Sequence, residues 1–230
     1  MTRFWMQARV IAQNDLLVDR RAGETFGLVV PFALAALITI PLAVGIDQPT
    51  ISRLGLPAFW VVTLLFGMQI AWRQVAGSER AVHDQIRLSG VDPAAGFAGR
   101  AIANFALLVG FMLVSLLLAI LLYSPAPIVR WLAFGTALVL FAIGLSVIST
   151  LIADLTLGLS VRSGLAPLLV VPLSLPLLLA GSQVGQLASA EAAISRPGGI
   201  LAWLLVLLLV DLIGVIAGVL SARPLEETLG

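Results

Sequence analysis

The stretch Gly164 to Gly185, GLAPLLVVPLSLPLLLAGSQVG, constrains this chain more than any other. It carries no charge, is long enough to cross a bilayer, and holds three prolines, Pro167, Pro172 and Pro176. A water-exposed helix breaks at that density, because each interior proline removes a backbone donor and clashes with the preceding turn. In a bilayer, neighbouring helices and local adjustments re-satisfy the freed carbonyls, so a kinked spanning helix is allowed. Kinks at Pro167, Pro172 and Pro176 suit a bundle that moves better than a passive anchor. Composition agrees with a membrane location: 60% of the 230 residues are hydrophobic, 11% are charged, and the mean hydropathy is +1.09. A soluble domain needs far more polar surface.

The expected fold is an all-α integral membrane protein, a single membrane domain over residues 1–230 with six transmembrane helices. The spans are placed at Phe26–Ile46, Leu56–Ala76, Gly99–Tyr123, Val129–Ala153, Leu165–Leu187 and Ile200–Ser221. Each is near the ~20 residues a helix needs to cross the hydrocarbon core. Ahead of them, residues 3–22 read as an amphipathic surface helix, part of an interfacial segment 1–25. Phe4, Trp5, Ala8, Ile11 and Ala12 share one side, and Arg3, Gln7 and Asn14 lie away from it. Asp15 and Asp19 interrupt the apolar side further on. That charged lead precedes the first apolar run, which is not the pattern of a cleavable signal peptide.

All 13 basic residues are arginine. Ten of them, Arg3, Arg9, Arg20, Arg21, Arg73, Arg80, Arg87, Arg100, Arg162 and Arg223, fall on one side of this topology. Three, Arg53, Arg130 and Arg196, fall on the other. The excess places both termini and the 77–98 connection in the cytoplasm.

Several chemistries are excluded or disfavoured. A chain without lysine has no GxxxxGK[ST] phosphate loop, so it does not hydrolyse ATP through that motif. A chain without cysteine has no disulfide framework, thiol nucleophile or thiolate ligand. The formal charge of +1 offers no basic face for nucleic acid. No catalytic or metal-binding set is visible, and the single histidine, His83, reads as a solvated loop residue. The expectation is therefore a chain with no enzymatic activity of its own and no resident cofactor.

The segment 77–98, GSERAVHDQIRLSGVDPAAGFA, is the candidate for partner contact. Its first half reads as a short amphipathic helix with Val82, Ile86 and Leu88 apolar, ended by Gly90 and Pro93. Such a helix docks into a partner's groove, with Glu79, Arg80, Asp84 and Arg87 making the polar contacts. A plain solvated linker is the alternative. Asp211, in the middle of the last span, is expensive in hydrocarbon and is expected to face the bundle near Ser174, Ser146 or Asn104. It is either a proton or substrate site or, the preferred reading, a buried hydrogen-bonded carboxyl. Asp154 and Arg162 fall at the cytoplasmic edge of spans four and five. Gly181-x-x-x-Gly185 and Gly214-x-x-x-Gly218 read as close helix packing. Trp5, Trp60, Trp72, Trp131 and Trp203 read as interfacial belts.

Six spans, a surface helix, a cytoplasmic connection between spans two and three and no nucleotide motif together resemble the ABC-2-type permease subunit of an ABC transporter. Within that group the chain resembles the haem exporter protein B family of cytochrome c maturation, CcmB. The residues that carry this are Ser78-Glu79-Arg80 after span two, Val91-Asp92-Pro93 with Gly99-Arg100-Ala101-x-x-Asn104 at span three, and Arg162 with Leu165-Ala166-Pro167 and Pro172-x-x-x-Pro176 at span five. Gly90 stands where the family usually has proline, and Arg100 replaces its lysine. The resemblance implies a multi-pass protein of the bacterial cytoplasmic (inner) membrane that pairs with a separate ATP-binding subunit and other cytochrome c maturation membrane proteins, as a homodimer or hetero-oligomer. It further implies ATP bound by the partner and haem as cargo, with 77–98 as the coupling loop. An ABC permease for lipid, drug or polysaccharide, and a non-ABC scaffold or proton-coupled carrier using Asp211, are the alternatives.

Overall fold

A computed structural model describes residues 2–23, 25–45, 47–76, 92–157, 165–190 and 199–222. Its elements are α1 (Thr2–Ala22), α2 (Val30–Val44, entered through a π-helical turn Thr25–Val29), α3 (Gln48–Ala76), α4 (Pro93–Tyr123), α5 (Trp131–Leu157), α6 (Leu165–Ala188) and α7 (Ile200–Ala222). Helices α2 to α7 are each long and apolar enough to span a membrane, six in all, and no strand forms among the described residues. The protein is an all-α, multi-pass membrane protein.

Two helix starts differ from the sequence expectation. Residues 48–55 were expected to be a connection, yet α3 begins at Gln48, with Pro49 in its first turn, where a missing N–H costs nothing. That turn is pinned to the end of α4: Ser52 Oγ donates to Ser124 O at 3.0 Å, and a Cβ on Gly55 would lie 2.7 Å from Tyr123 Cβ. Likewise α4 begins at Pro93, six residues ahead of the expected Gly99. Asp92 is extended, and its side chain accepts from Ala94 N, so Asp-Pro acts as cap and first residue. The α4 helix ends at Ser124, which takes a left-handed conformation at φ 44°.

Pro172 and Pro176 lie inside α6. Each deletes one rung of the helix ladder, at the carbonyls of Leu168 and Pro172. Pro167 stands in the first turn of α6, where its missing N–H has no carbonyl to bond within the described helix.

The core holds Phe59, Trp60, Phe111, Phe134, Phe141, Leu145 and Leu177, all buried. Among the spans α5 is the most enclosed and α7 the least. Outward faces are apolar, with Leu132, Leu42, Leu121 and Leu201 exposed, as lipid contact requires. At one end the chain before α5 is clamped to the end of α6: Val129 N donates to Ala188 O at 2.9 Å, and Ala190 N donates to Pro127 O at 2.8 Å. At the opposite end α1 lies against the start of α4.

Candidate functional site

The α1–α4 contact is built from small residues. Ala8 and Ala12 of α1 are buried, and a Cβ on Gly99 would meet Ala8 O and Ile11 Cβ, each at 2.8 Å. The α1 backbone thus rests directly on α4. Gln7, expected to point away, is on the docked side and accepts from Asp92 N at 3.4 Å, whereas Trp5 is 62% exposed. The docked face is therefore rotated from the one that apolarity alone picks out, because the surface that receives it is a backbone ridge of Gly and Ala that only small side chains fit.

Next to this contact lies a charged node. Arg100 Nη2 donates to Asp154 Oδ2 of α5 at 2.7 Å, with both side chains 15% exposed. Asp15 of α1 faces the same guanidinium. Burial pushes the Asp15 carboxyl up to about 6, and Arg100 draws it down only in part. One turn further in, Asn104 Nδ2 donates to Thr150 Oγ1 at 2.9 Å, and that hydroxyl donates to Ser146 O at 2.7 Å. The i, i+4 spacing of Arg100 and Asn104 on α4, and of Thr150 and Asp154 on α5, stacks the two pairs into one seam. Together they tie α1, α4 and α5 at one end.

Asp211 is the central residue of α7, eleven positions from Ile200 and eleven from Ala222. It is 5% exposed, and neither carboxyl oxygen has a hydrogen-bond partner among the described residues. The expected partners are engaged elsewhere: Ser174 Oγ donates to Val170 O, Ser146 Oγ to Ile143 O, and Asn104 Nδ2 to Thr150. Asp211 Oδ1 instead fills a notch at Gly144, where a Cβ would collide with it, beside the Leu177 methyl groups.

The two glycine pairs have specific partners. Gly181 and Gly185 form the slot for the Trp60 ring; a Cβ would lie 3.0 Å from the ring at Gly181 and 2.8 Å from Nε1 at Gly185. Trp60 is therefore core, its ring centroid 4.9 Å from that of Phe141 in a tilted contact and 5.2 Å from that of Phe59 edge to face, and not part of an interfacial belt. Gly214 meets Val147, and Gly218 meets the Phe97 ring.

Glu79, Arg80, Asp84 and Arg87, together with His83 and Arg162, lie outside the described residues. Sequence reasoning missed Asp15 as a partner of Arg100 and missed Gly144 as the seat of Asp211. A signal existed for the first only: α1 carries Asp15 four residues before Asp19, on a face that is otherwise apolar.

The model of the CcmB protein family matches residues 6–221. The chain is 32% identical over 197 residues to heme exporter protein B of Rhodobacter capsulatus, covering 84% of this chain and 89% of that protein. It is 30% identical over 182 residues to heme exporter protein B of Paracoccus denitrificans, covering 78% and 82%. The matched region contains every span and the whole node of Asp15, Arg100 and Asp154, and the chain belongs to the CcmB family.

Proposed function

We propose that this chain is the membrane permease subunit of an ABC-type haem exporter of cytochrome c maturation, which couples ATP hydrolysis on a partner to haem delivery or to release of a haem chaperone. The observation that carries this reading is the family match across residues 6–221, supported by two relatives named heme exporter protein B. In this reading the nucleotide sits on another subunit, which the absence of lysine, and with it of a phosphate loop, supports. Both termini and the 77–98 connection face the cytoplasm on the arginine distribution, in a bacterial inner membrane.

In this reading Glu79, Arg80, Asp84 and Arg87 contact the ATP-binding subunit. Their displacement reaches the bundle through Asp92 and Pro93, where the segment enters α4. There α1 is held by Gln7 on Asp92 N and by the Gly99 contact, so displacement at Asp92 loads the α1–α4 contact directly. Arg100 carries that motion to α5 through Asp154.

The test is affinity capture of the tagged protein in mild detergent from its own host, with identification of bound proteins and a haem absorbance scan. An ATP-binding subunit recovered with cytochrome maturation proteins is the expected result; its absence overturns the permease reading. In the Glu79→Ala/Arg80→Ala variant, ATPase activity of the complex is expected to persist while cytochrome c maturation fails. Intact assembly and maturation in that variant would refute the coupling role.

A further inference from the structure

We propose that Asp211 is a proton-binding site that locks α7 against α5, its carboxyl occupying the Gly144 notch only while it carries a proton. The notch is at the middle of the bundle, ~16 Å along α7 from either end at 1.5 Å per residue. Both oxygens of Asp211 are buried without a partner among the described residues. Among the described residues no cation is placed to hold an ionised carboxylate there. From Leu165 to Ala188, α6 carries no charged residue, and α7 carries none besides Asp211. On α5 the only charged residue is Asp154, ten positions from Gly144, and on α4 it is Arg100, already paired with Asp154.

A neutral acid tolerates this apolar seat far better than an anion does. When the proton leaves to water, the carboxylate left behind has no donor in the notch, and the route to hydration is outward, away from Gly144. The contacts on the C-terminal side of it permit that movement, because there α7 meets α5 and α4 through Gly214 on Val147 and Gly218 on Phe97. The site's ligand is thus the proton itself, and its occupancy sets the α5–α7 distance.

The chain has no cysteine, so helix separation can be read by one introduced pair. A Cβ on Gly214 would lie 3.9 Å from Val147 Cβ, inside the ~3.5–4.5 Å range of disulfides. The Val147→Cys/Gly214→Cys protein, full length in lipid nanodiscs, is oxidised at a series of pH values with Asp211 present and with Asp211→Asn. The ratio of the two rates cancels the ionisation of the thiols. That ratio should be near one in acid and fall as pH rises, approaching about tenfold per pH unit beyond the midpoint, the limit for one proton. A ratio that stays constant between about pH 5 and about pH 9 overturns the proposal.

Infrared difference spectra of the cysteine-free protein against Asp211→Asn give a second reading that needs no engineered pair. A protonated-carboxyl band present in acid and lost on titration is expected. Its absence at all pH values, or its persistence at all of them, overturns the proposal. Neither measurement needs nucleotide, haem or a partner subunit, so its failure is distinguishable from failure of the haem-exporter reading.

Discussion

Replacing Arg100 with methionine tests the node that joins α1, α4 and α5. The Arg100–Asp154 pair makes one 2.7 Å hydrogen bond with both side chains 15% exposed, and Arg100 Nε and Asp154 Oδ1 have no further partner among the described residues. Truncating one member of a buried pair costs ~3–5 kcal/mol. A single contact with slight solvent access places this one at the lower end, about 3 kcal/mol. The same cost is expected for Asp154→Leu. The double variant leaves no orphaned charge between α4 and α5, so it should recover most of the loss, a coupling of about 2 kcal/mol or more. Asp15 adds a pH signature. It loses its attraction to Arg100, so the Arg100→Met penalty should be larger at pH 8, where Asp15 is ionised, than at pH 5, below its value of about 6. Unfolding in mixed micelles with increasing denaturing detergent measures all four proteins of the cycle. Single costs that simply add in the double variant, within about 0.5 kcal/mol, would show that the pair carries no interaction.

Four further outcomes follow from the same contacts. Asp15→Asn should abolish one pH dependence: the folded carboxyl holds its proton up to about 6 against an ordinary 3.8, so the wild type loses stability as pH rises through that window and the variant does not; thermal melts across it decide, and parallel curves count against the burial. Gly99→Leu should undock α1, because even a Cβ meets Ala8 O at 2.8 Å, and limited proteolysis should then cut α1 at least several-fold faster. Trp60→Ala should cost ~3–5 kcal/mol, as for a large buried aromatic, whereas Gly185→Ala should cost ~1–3 kcal/mol by overfilling the slot; both are read by the same detergent unfolding. Gly144→Ala should be as damaging as Asp211→Asn is mild, since the added methyl takes the carboxyl's place.

The spans were legible because crossing hydrocarbon demands some twenty apolar residues, and that demand is written locally. Their ends were not. Residues 48–55 and 93–98 look like polar or small-residue connections, and they are helical because Pro49 and Pro93 suit a first turn and because Tyr123 and α1 cover them. Trp60 misled for a different reason. A tryptophan near a span end fits an interface, but a Gly181–Gly185 slot more than a hundred residues away draws it inward, and such long-range fits leave no local mark. The run Gly99-Arg100-Ala101-x-x-Asn104 was recognisable as a family feature before its physics was. Gly99, Arg100 and Asn104 now each have a cause: backbone contact with α1, the charge on Asp154 and Asp15, and the bond to Thr150.

These contacts divide the bundle into parts held in different ways. Polar bonds and a backbone contact fasten α1, α4 and α5 together at the Arg100 end. In contrast, α7 makes no polar bond to the bundle among the described residues: it packs through Leu207 and, from Asp211 onward, through glycines against Val147 and Phe97 with a carboxyl in a notch, while α6 beside it has lost two rungs of its ladder. A displacement of α4 at Asp92 therefore moves α5 with it and slides Gly144 past Asp211. Linkage makes the influence reciprocal: whatever favours the carboxyl in its notch must equally favour the docked position of α1. Asp211→Asn, which leaves the notch filled by a neutral group at every pH, should then slow proteolysis of α1 at high pH relative to the wild type. Equal cleavage of the two proteins across the pH range would show that the α7 contact and the α1 contact are energetically separate, and that motion at Asp92 stops at α5.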